Sequence, residues 1–229
     1  PENTFSLKAF MEAKFPPGEG KFIFWLFFIA FAIKMPVFPF HTWQPDAYEQ
    51  SPTAVTMILS GVMVKMGVYA VLRWLVPVFP QESVSFSGII IWLSVIGMVY
   101  ASCIAWMQDD LKRLVAYSSI AHIGLMCAAI FSRQQSSFDG VMVQMFNHGI
   151  NIIGLWIVVE LIERKLGTRK ISELGGLANT SPALTIFLVV IALANIALPL
   201  TNAFVGEFLM FNGLFAYGKW VTAVALISI

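Results

Sequence analysis

FIFWLFFIAFAIKMPVFPF (residues 22–40) and TAVTMILSGVMVKMGVYAVLRWLV (residues 53–76) are apolar runs long enough to cross a bilayer. Each holds one lysine well inside it, Lys34 in the first and Lys65 in the second. A charge near the centre of such a helix costs roughly 2.5–3.5 kcal/mol on insertion scales, and is kept mainly where it works. Pro36 and Pro39 follow Lys34. A proline removes a backbone hydrogen bond and clashes with the preceding turn, so the first run is expected to break there. The two runs together point to an all-α polytopic membrane protein with discontinuous helices, whose buried charges serve transport rather than chemistry on a substrate.

Composition agrees with that class. The hydrophobic share is 58% and charged residues make up 12%, about half the usual share for soluble domains. Mean hydropathy is +0.78. A net charge of +1 argues against a nucleic-acid partner and leaves the lipid bilayer as the surrounding medium. Cys103 and Cys127 sit on different runs without CxxC spacing, so no iron–sulfur or metal ligand set is expected. No GxGxxG pattern offers a nucleotide site, and no cofactor is expected in this chain.

Residues 1–20 are polar and read as an extramembrane loop. Apolar runs follow at about 21–43, 53–76, 86–107, 114–131, 138–162 and 182–218. The last is too long for one straight crossing, and Pro199 with Thr201 and Asn202 predicts a second break near 199–203. Residues 219–229 read as the start of a further helix, and the absence of an initiator methionine suggests an internal segment of a longer protein. Lys112 and Arg113 follow the third run, and Arg164, Lys165, Arg169 and Lys170 follow the fifth. That side is expected to be cytoplasmic.

Five side chains are candidates for moving charge. Lys34 lies roughly 20 Å along the helix from Lys21, too deep for easy snorkelling; its structural alternative is to hold carbonyls freed beside Pro36. Lys65 has Tyr69 one turn on. His122 is preceded by Tyr117, Ser118 and Ser119. Gln144, Asn147, His148 and Asn151 follow i, i+3, i+4, i+7 spacing, which places four polar groups on one helical face. Such a face is either glue between helices or the wall of a hydrated wire, and the wire is favoured. Glu207 stands just beyond the second break with no cation on its own run before Lys219; an unpaired carboxylate at that depth favours its protonated form. Trp43 suits the interface, His41 has no assigned role, and Glu160 and Glu163 read as interfacial.

The order of these motifs resembles a known family. The residues are Lys34-x-Pro36-x-x-Pro39-Phe40-His41-x-Trp43-x-Pro45-Asp46-Ala47, Lys65-Met66-Gly67-x-Tyr69, Asp110-Leu111-Lys112-Arg113, Asn147-His148-Gly149 and Val205-Gly206-Glu207-Phe208. They resemble the antiporter-like subunits of respiratory complex I, and glutamate at 207 looks like the chain M branch (subunit 4 in mitochondria). The resemblance implies an antiporter-like bundle of inverted repeats. It also implies a proton relay along Lys34, Lys65, His122, His148 and Glu207, and an acid upstream that pairs with Lys34. The supporting residues are Pro36, Tyr69, Tyr117, Gln144, Asn147, Asn151, Pro199 and Asn202. The implied partners are other membrane-arm subunits, including neighbouring antiporter-like ones, with NADH, FMN, iron–sulfur clusters and quinone held elsewhere. The implied location is a bacterial inner membrane, or less favoured a mitochondrial one. A multisubunit sodium/proton antiporter or a membrane-bound hydrogenase complex is the alternative, and a purely structural scaffold is a third reading. The family usually carries glycines at the second break, where this chain has Leu198-Pro199-Leu200-Thr201-Asn202-Ala203.

Overall fold

The computed structural model describes residues 6–13, 15–16 and 18–228, and every regular element among them is helical. In chain order these are α1 (Leu7–Glu12), α2 (Glu19–Lys34), α3 (Trp43–Gln50), α4 (Thr53–Val78), α5 (Pro80–Ser85), α6 (Ser87–Trp106), α7 (Leu111–Ser132), α8 (Gln135–Leu166), a 3-10 turn (Ile171–Glu173), α9 (Leu177–Thr180), α10 (Pro182–Asn195), α11 (Asn202–Tyr217) and α12 (Lys219–Leu226). Four of them, α4, α6, α7 and α8, are long and apolar enough to cross a membrane. The loop expected over residues 1–20 lies partly outside the described residues, and its described part carries α1.

The first run is not one helix through 43. It stops at Lys34, turns through residues 35–42 and resumes as α3. Pro36 has no N–H for the Ala32 carbonyl, and the Val37 N–H takes that carbonyl instead at 3.0 Å. The shift leaves Ile33 O without its usual donor. The Trp43 indole N–H supplies one at 3.0 Å. Trp43 therefore does the work considered for Lys34 at this break, while Lys34 points outward and makes no hydrogen bond or ion pair among the described residues.

Helix α4 contains two π-turns, Leu59–Met63 and Val71–Leu75, on either side of Lys65. In the first, Val64 N–H bonds Leu59 O, five residues back. Such widened turns recur where a helix positions a functional side chain. The α8 helix, about 48 Å long at the helical rise, outreaches the hydrocarbon layer and carries Arg164 and Lys165 beyond it.

Helices approach closely where glycines meet. A Cβ on Gly140 of α8 would lie 2.8 Å from both Gly206 O and Met210 N of α11. At the crossing of α4 and α8, a Cβ on Gly149 would lie 3.1 Å from Gly61 O. Small residues at such crossings let backbones touch, which is how helices gain packing energy in lipid. Outward faces remain apolar, as with Ile89, Trp92 and Ile96 on α6.

Basic residues at the start of α7 and in the loop after α8 meet carboxylates of α3, α8 and the α7 cap. Arg113 bonds Asp46 at 2.9 Å and Glu49 at 2.8 Å, Arg169 reaches Glu49 at 2.9 Å and also Asp110, and Lys112 pairs with Glu163 at 3.0 Å. Asp110 caps α7 by accepting from the Lys112 and Arg113 N–H groups. Asp109 accepts from the Ser172 hydroxyl and N–H at 2.7 Å each, and these bonds hold its carboxyl below the usual range.

Candidate functional site

The second break is built by the same rule as the first. The sixth run divides into α10 and α11, with residues 196–201 unwound between them. Pro199 has no N–H to give Asn195 O, and Leu198 N–H bonds Leu193 O at 3.1 Å. The carbonyls thus freed are met by side chains of neighbouring helices. His122 Nε2 lies 3.0 Å from Asn195 O, and Asn151 Nδ2 donates to Ala194 O at 2.9 Å. On the far side of the break, Asn147 Nδ2 donates to Asn202 O at 2.6 Å and Asn202 Nδ2 donates to Asn151 Oδ1 at 3.0 Å.

The polar face of α8 therefore divides into two jobs. Asn147 and Asn151 clamp the unwound segment, whereas Gln144 and His148 face the titratable groups. Gln144 Nε2 donates to Glu207 Oε1 at 3.2 Å. His148 Nε2 lies 3.3 Å from Ser119 Oγ, and its ring stacks on His122 with centroids 4.8 Å apart.

Glu207 finds its partner on another helix. His122 Nε2 lies 3.3 Å from Glu207 Oε1, and both side chains are largely buried. His122 Nδ1 lies 2.8 Å from Ser118 O. Both ring nitrogens of His122 thus face oxygens that accept only, so its hydrogen bonds are complete with a proton on each nitrogen. The Glu207 carboxyl lies beside it. The pair replaces the lone acid read from the sequence.

Lys65, only 8% exposed, donates to Ser60 O in the first π-turn. Ser60 is fixed in turn by Trp156, whose indole N–H donates to Ser60 Oγ at 2.8 Å. Tyr69 does not bond Lys65; it lines the mouth of a groove of about 530 Å³ between α4 and α8 with Lys65 at its floor. His148 lies within Coulombic range of Lys65 and of His122. A second cleft, about 490 Å³, reaches His122 and Ser118 between α6, α7 and the break. The fold thus brings His148, His122, Glu207 and Gln144 into one line of contacts, with the buried Lys65 on the adjoining α4. Lys34 and Pro36 stand apart from it, and Tyr117 sits beside the Arg113 guanidinium. Ser60, Trp156 and Asn195 went unnoticed in the sequence; only Asn195, four residues before Pro199, had a signal, its freed carbonyl.

The break is strained where glycine is missing. Ala197 and Leu200 adopt φ of +53° and +79°, a left-handed region that disfavours a Cβ by about 1–2 kcal/mol. The Leu200 side chain is fully exposed. Leu200→Gly is expected to raise the melting temperature in detergent, and Leu200→Val to lower it. A fall in both would show that the leucine side chain itself holds the break.

Residues 3–229 match the family described as NADH:quinone oxidoreductase/Mrp antiporter, TM. NADH-quinone oxidoreductase subunit M of Rickettsia prowazekii is 41% identical over 229 residues, covering 99% of this chain and 47% of that protein. The chain spans about half the length of the curated relatives it matches. A chain of respiratory complex I from Thermus thermophilus superposes with a TM-score of 0.92 at 28% identity, covering 98% of this chain and 48% of its own length. A chain of the Mrp complex from Dietzia sp. DQ12-45-1b shares the fold, with a TM-score of 0.82 at 24% identity over 88% of this chain and 38% of its own. The broken helices, the buried line from His148 to Glu207 and the family match over nearly the whole chain lead to one conclusion: the chain is a multi-pass membrane protein belonging to the NADH:quinone oxidoreductase/Mrp antiporter transmembrane family.

Proposed function

We propose that this chain is part of a membrane-arm subunit of a bacterial NADH:quinone oxidoreductase, of the subunit M branch, and that it conducts protons across the inner membrane. The observation that carries the reading is the series of contacts from His148 through His122 and Glu207 to Gln144, with the buried Lys65 on the adjoining α4. Two facing imidazoles in one buried site resist a second positive charge, so a proton arriving at His148 favours release from His122 toward Glu207. Redox chemistry, with NADH, FMN, iron–sulfur clusters and quinone, belongs to partner subunits. The chain itself supplies binding and release of protons at Lys Nζ, imidazole nitrogens and a carboxylate. Lys34 stands exposed at the first break, and its part in the relay rests on the family resemblance, which implies an acid that pairs with it.

Lys34→Ala in the complete enzyme is expected to impair NADH-driven acidification of sealed vesicles. An unchanged proton-to-electron ratio in that variant would remove Lys34 from the relay. The alternative, a sodium/proton antiporter subunit, shares the fold of the Dietzia Mrp chain. Transport that needs sodium and no redox donor would decide for it.

A further inference from the structure

His122 and Glu207 are held by opposite sides of the second break. His122 belongs to α7, and its Nε2 lies 3.0 Å from the carbonyl of Asn195, the last residue of α10. Asn195 also hooks α7 through its side chain, whose Nδ2 donates to Ser118 Oγ at 3.3 Å, while Ser118 O faces His122 Nδ1 at 2.8 Å. The imidazole is thus seated on the end of α10. Glu207 rides on α11, which begins at Asn202, beyond the unwound residues 196–201. His122 Nε2 and Glu207 Oε1 are 3.3 Å apart, just past the span of about 2.7–3.2 Å for an ordinary N–H···O bond. The gap has no slack. A shift of about half an ångström between the end of α10 and α11 parts the pair.

Apolar packing holds the end of α10 lightly. Asn195 is the one buried residue of that helix, and Ile186, Phe187, Val189 and Val190 along its shaft are exposed. The unwound segment that follows keeps Ala197 and Leu200 in the left-handed region, a conformation that persists only where the surroundings over-determine it. Asn151 supplies that constraint from α8. It is buried, and both ends of its amide are spent across the break: Nδ2 donates to Ala194 O at 2.9 Å, and Oδ1 accepts from Asn202 Nδ2 at 3.0 Å. Asn147 reaches only the α11 side, at Asn202 O. Apart from His122 itself, Asn151 is the one side chain among the described residues that bonds to both half-helices.

We infer that Asn151 is a positioning residue for the proton step between His122 and Glu207. Its amide ties Ala194, next to the carbonyl that seats the imidazole, to Asn202, which opens the helix carrying the acid, and so fixes the gap that the proton crosses. This rests on the proton-conducting reading above. In the step itself the proton leaves His122 Nε2 for Glu207 Oε1; the imidazolium becomes a neutral imidazole and the carboxylate a carboxylic acid. Asn151 takes no part in the transfer. It acts because an amide joins a donor and an acceptor in one rigid group, one for each side of the break.

The test uses the complete enzyme in sealed vesicles, with Asn151→Leu, Asn151→Ser and Glu207→Gln compared in light and heavy water and rates expressed per assembled enzyme. Leucine fills the space without an amide, and the serine hydroxyl is too short to reach both sides. Both are expected to slow redox-driven pumping about tenfold and to raise the solvent isotope effect, because the widened gap makes the transfer limiting. A density map of the assembled Asn151→Ser enzyme should show His122 Nε2 and Glu207 Oε1 beyond hydrogen-bond reach. Wild-type pumping in Asn151→Ser overturns the inference, as does slowing with an unchanged isotope effect or an unchanged gap. If Asn151→Leu does not assemble, Asn151→Ser alone decides. Glu207→Gln separates this inference from the relay: blocked pumping there with normal pumping in Asn151→Ser sinks the positioning role only, and normal pumping in Glu207→Gln sinks the relay.

Discussion

Lys65→Met in the complete enzyme is expected to cut proton translocation by about a hundredfold or more while the protein still folds and assembles. Methionine nearly matches lysine in length and is at ease in the apolar space between α4 and α8. It removes a buried charge that is itself unfavourable there. The structural loss is the one hydrogen bond to Ser60 O, worth about 1 kcal/mol. The functional loss is the group that takes up and releases the proton on α4. Lys65→Arg sharpens the test, because a guanidinium keeps the charge yet does not give up its proton in a protein. Arginine is therefore expected to fail as methionine does. Normal pumping with arginine would mean that only a fixed positive charge is needed at this position.

Gly140→Val is the substitution expected to damage the fold most. The added Cβ would sit 2.8 Å from Gly206 O and Met210 N, which are backbone atoms of a packed helix and have no rotamer to change. Helices α8 and α11 must move apart, with a penalty of about 1–3 kcal/mol for overpacking before lost contacts are counted. Gln144 lies one turn beyond Gly140, and Glu207 follows Gly206, so the 3.2 Å bond between them opens as well. The expected result is a clearly lowered melting temperature in detergent together with impaired pumping. Gly88→Ala is the control, since its nearest neighbour would be the Tyr217 hydroxyl at 3.6 Å, an ordinary contact. A valine at 140 that leaves melting unchanged would show that the two helices do not touch there.

Much of the architecture was legible because a bilayer enforces simple rules. Apolar runs of membrane length had to become helices, and Pro36 and Pro199 had to interrupt two of them, since neither can donate to the carbonyl four residues back. The exact limits of the breaks were less legible. Helix α2 ends at Lys34, earlier than the run itself, and the second break occupies 196–201, because each proline releases a carbonyl several residues before its own position. The π-turns around Lys65 left no mark in the sequence.

The candidate site was legible as a set of residues and not as a set of partners. Lys34, Lys65, His122, His148 and Glu207 stand out because ionisable groups are unfavourable in lipid, and a single chain of letters records which of them fall within apolar runs. Which of them meet is a matter of helix packing. Glu207 pairs with His122 across the break, Asn147 and Asn151 hold unwound carbonyls, and Trp43 meets Ile33 O, each contact joining residues far apart or unwound from a helix. The sequence alone thus marked which ionisable residues lie within apolar runs, because that depends only on neighbours along the chain; that Lys65 is buried and Lys34 exposed was decided by packing. The line of contacts from His148 to Glu207, with Lys65 on the adjoining α4, was settled by the crossing of α4, α7, α8 and α11, because hydrogen bonds and Coulomb pairs depend on distances that only packing sets.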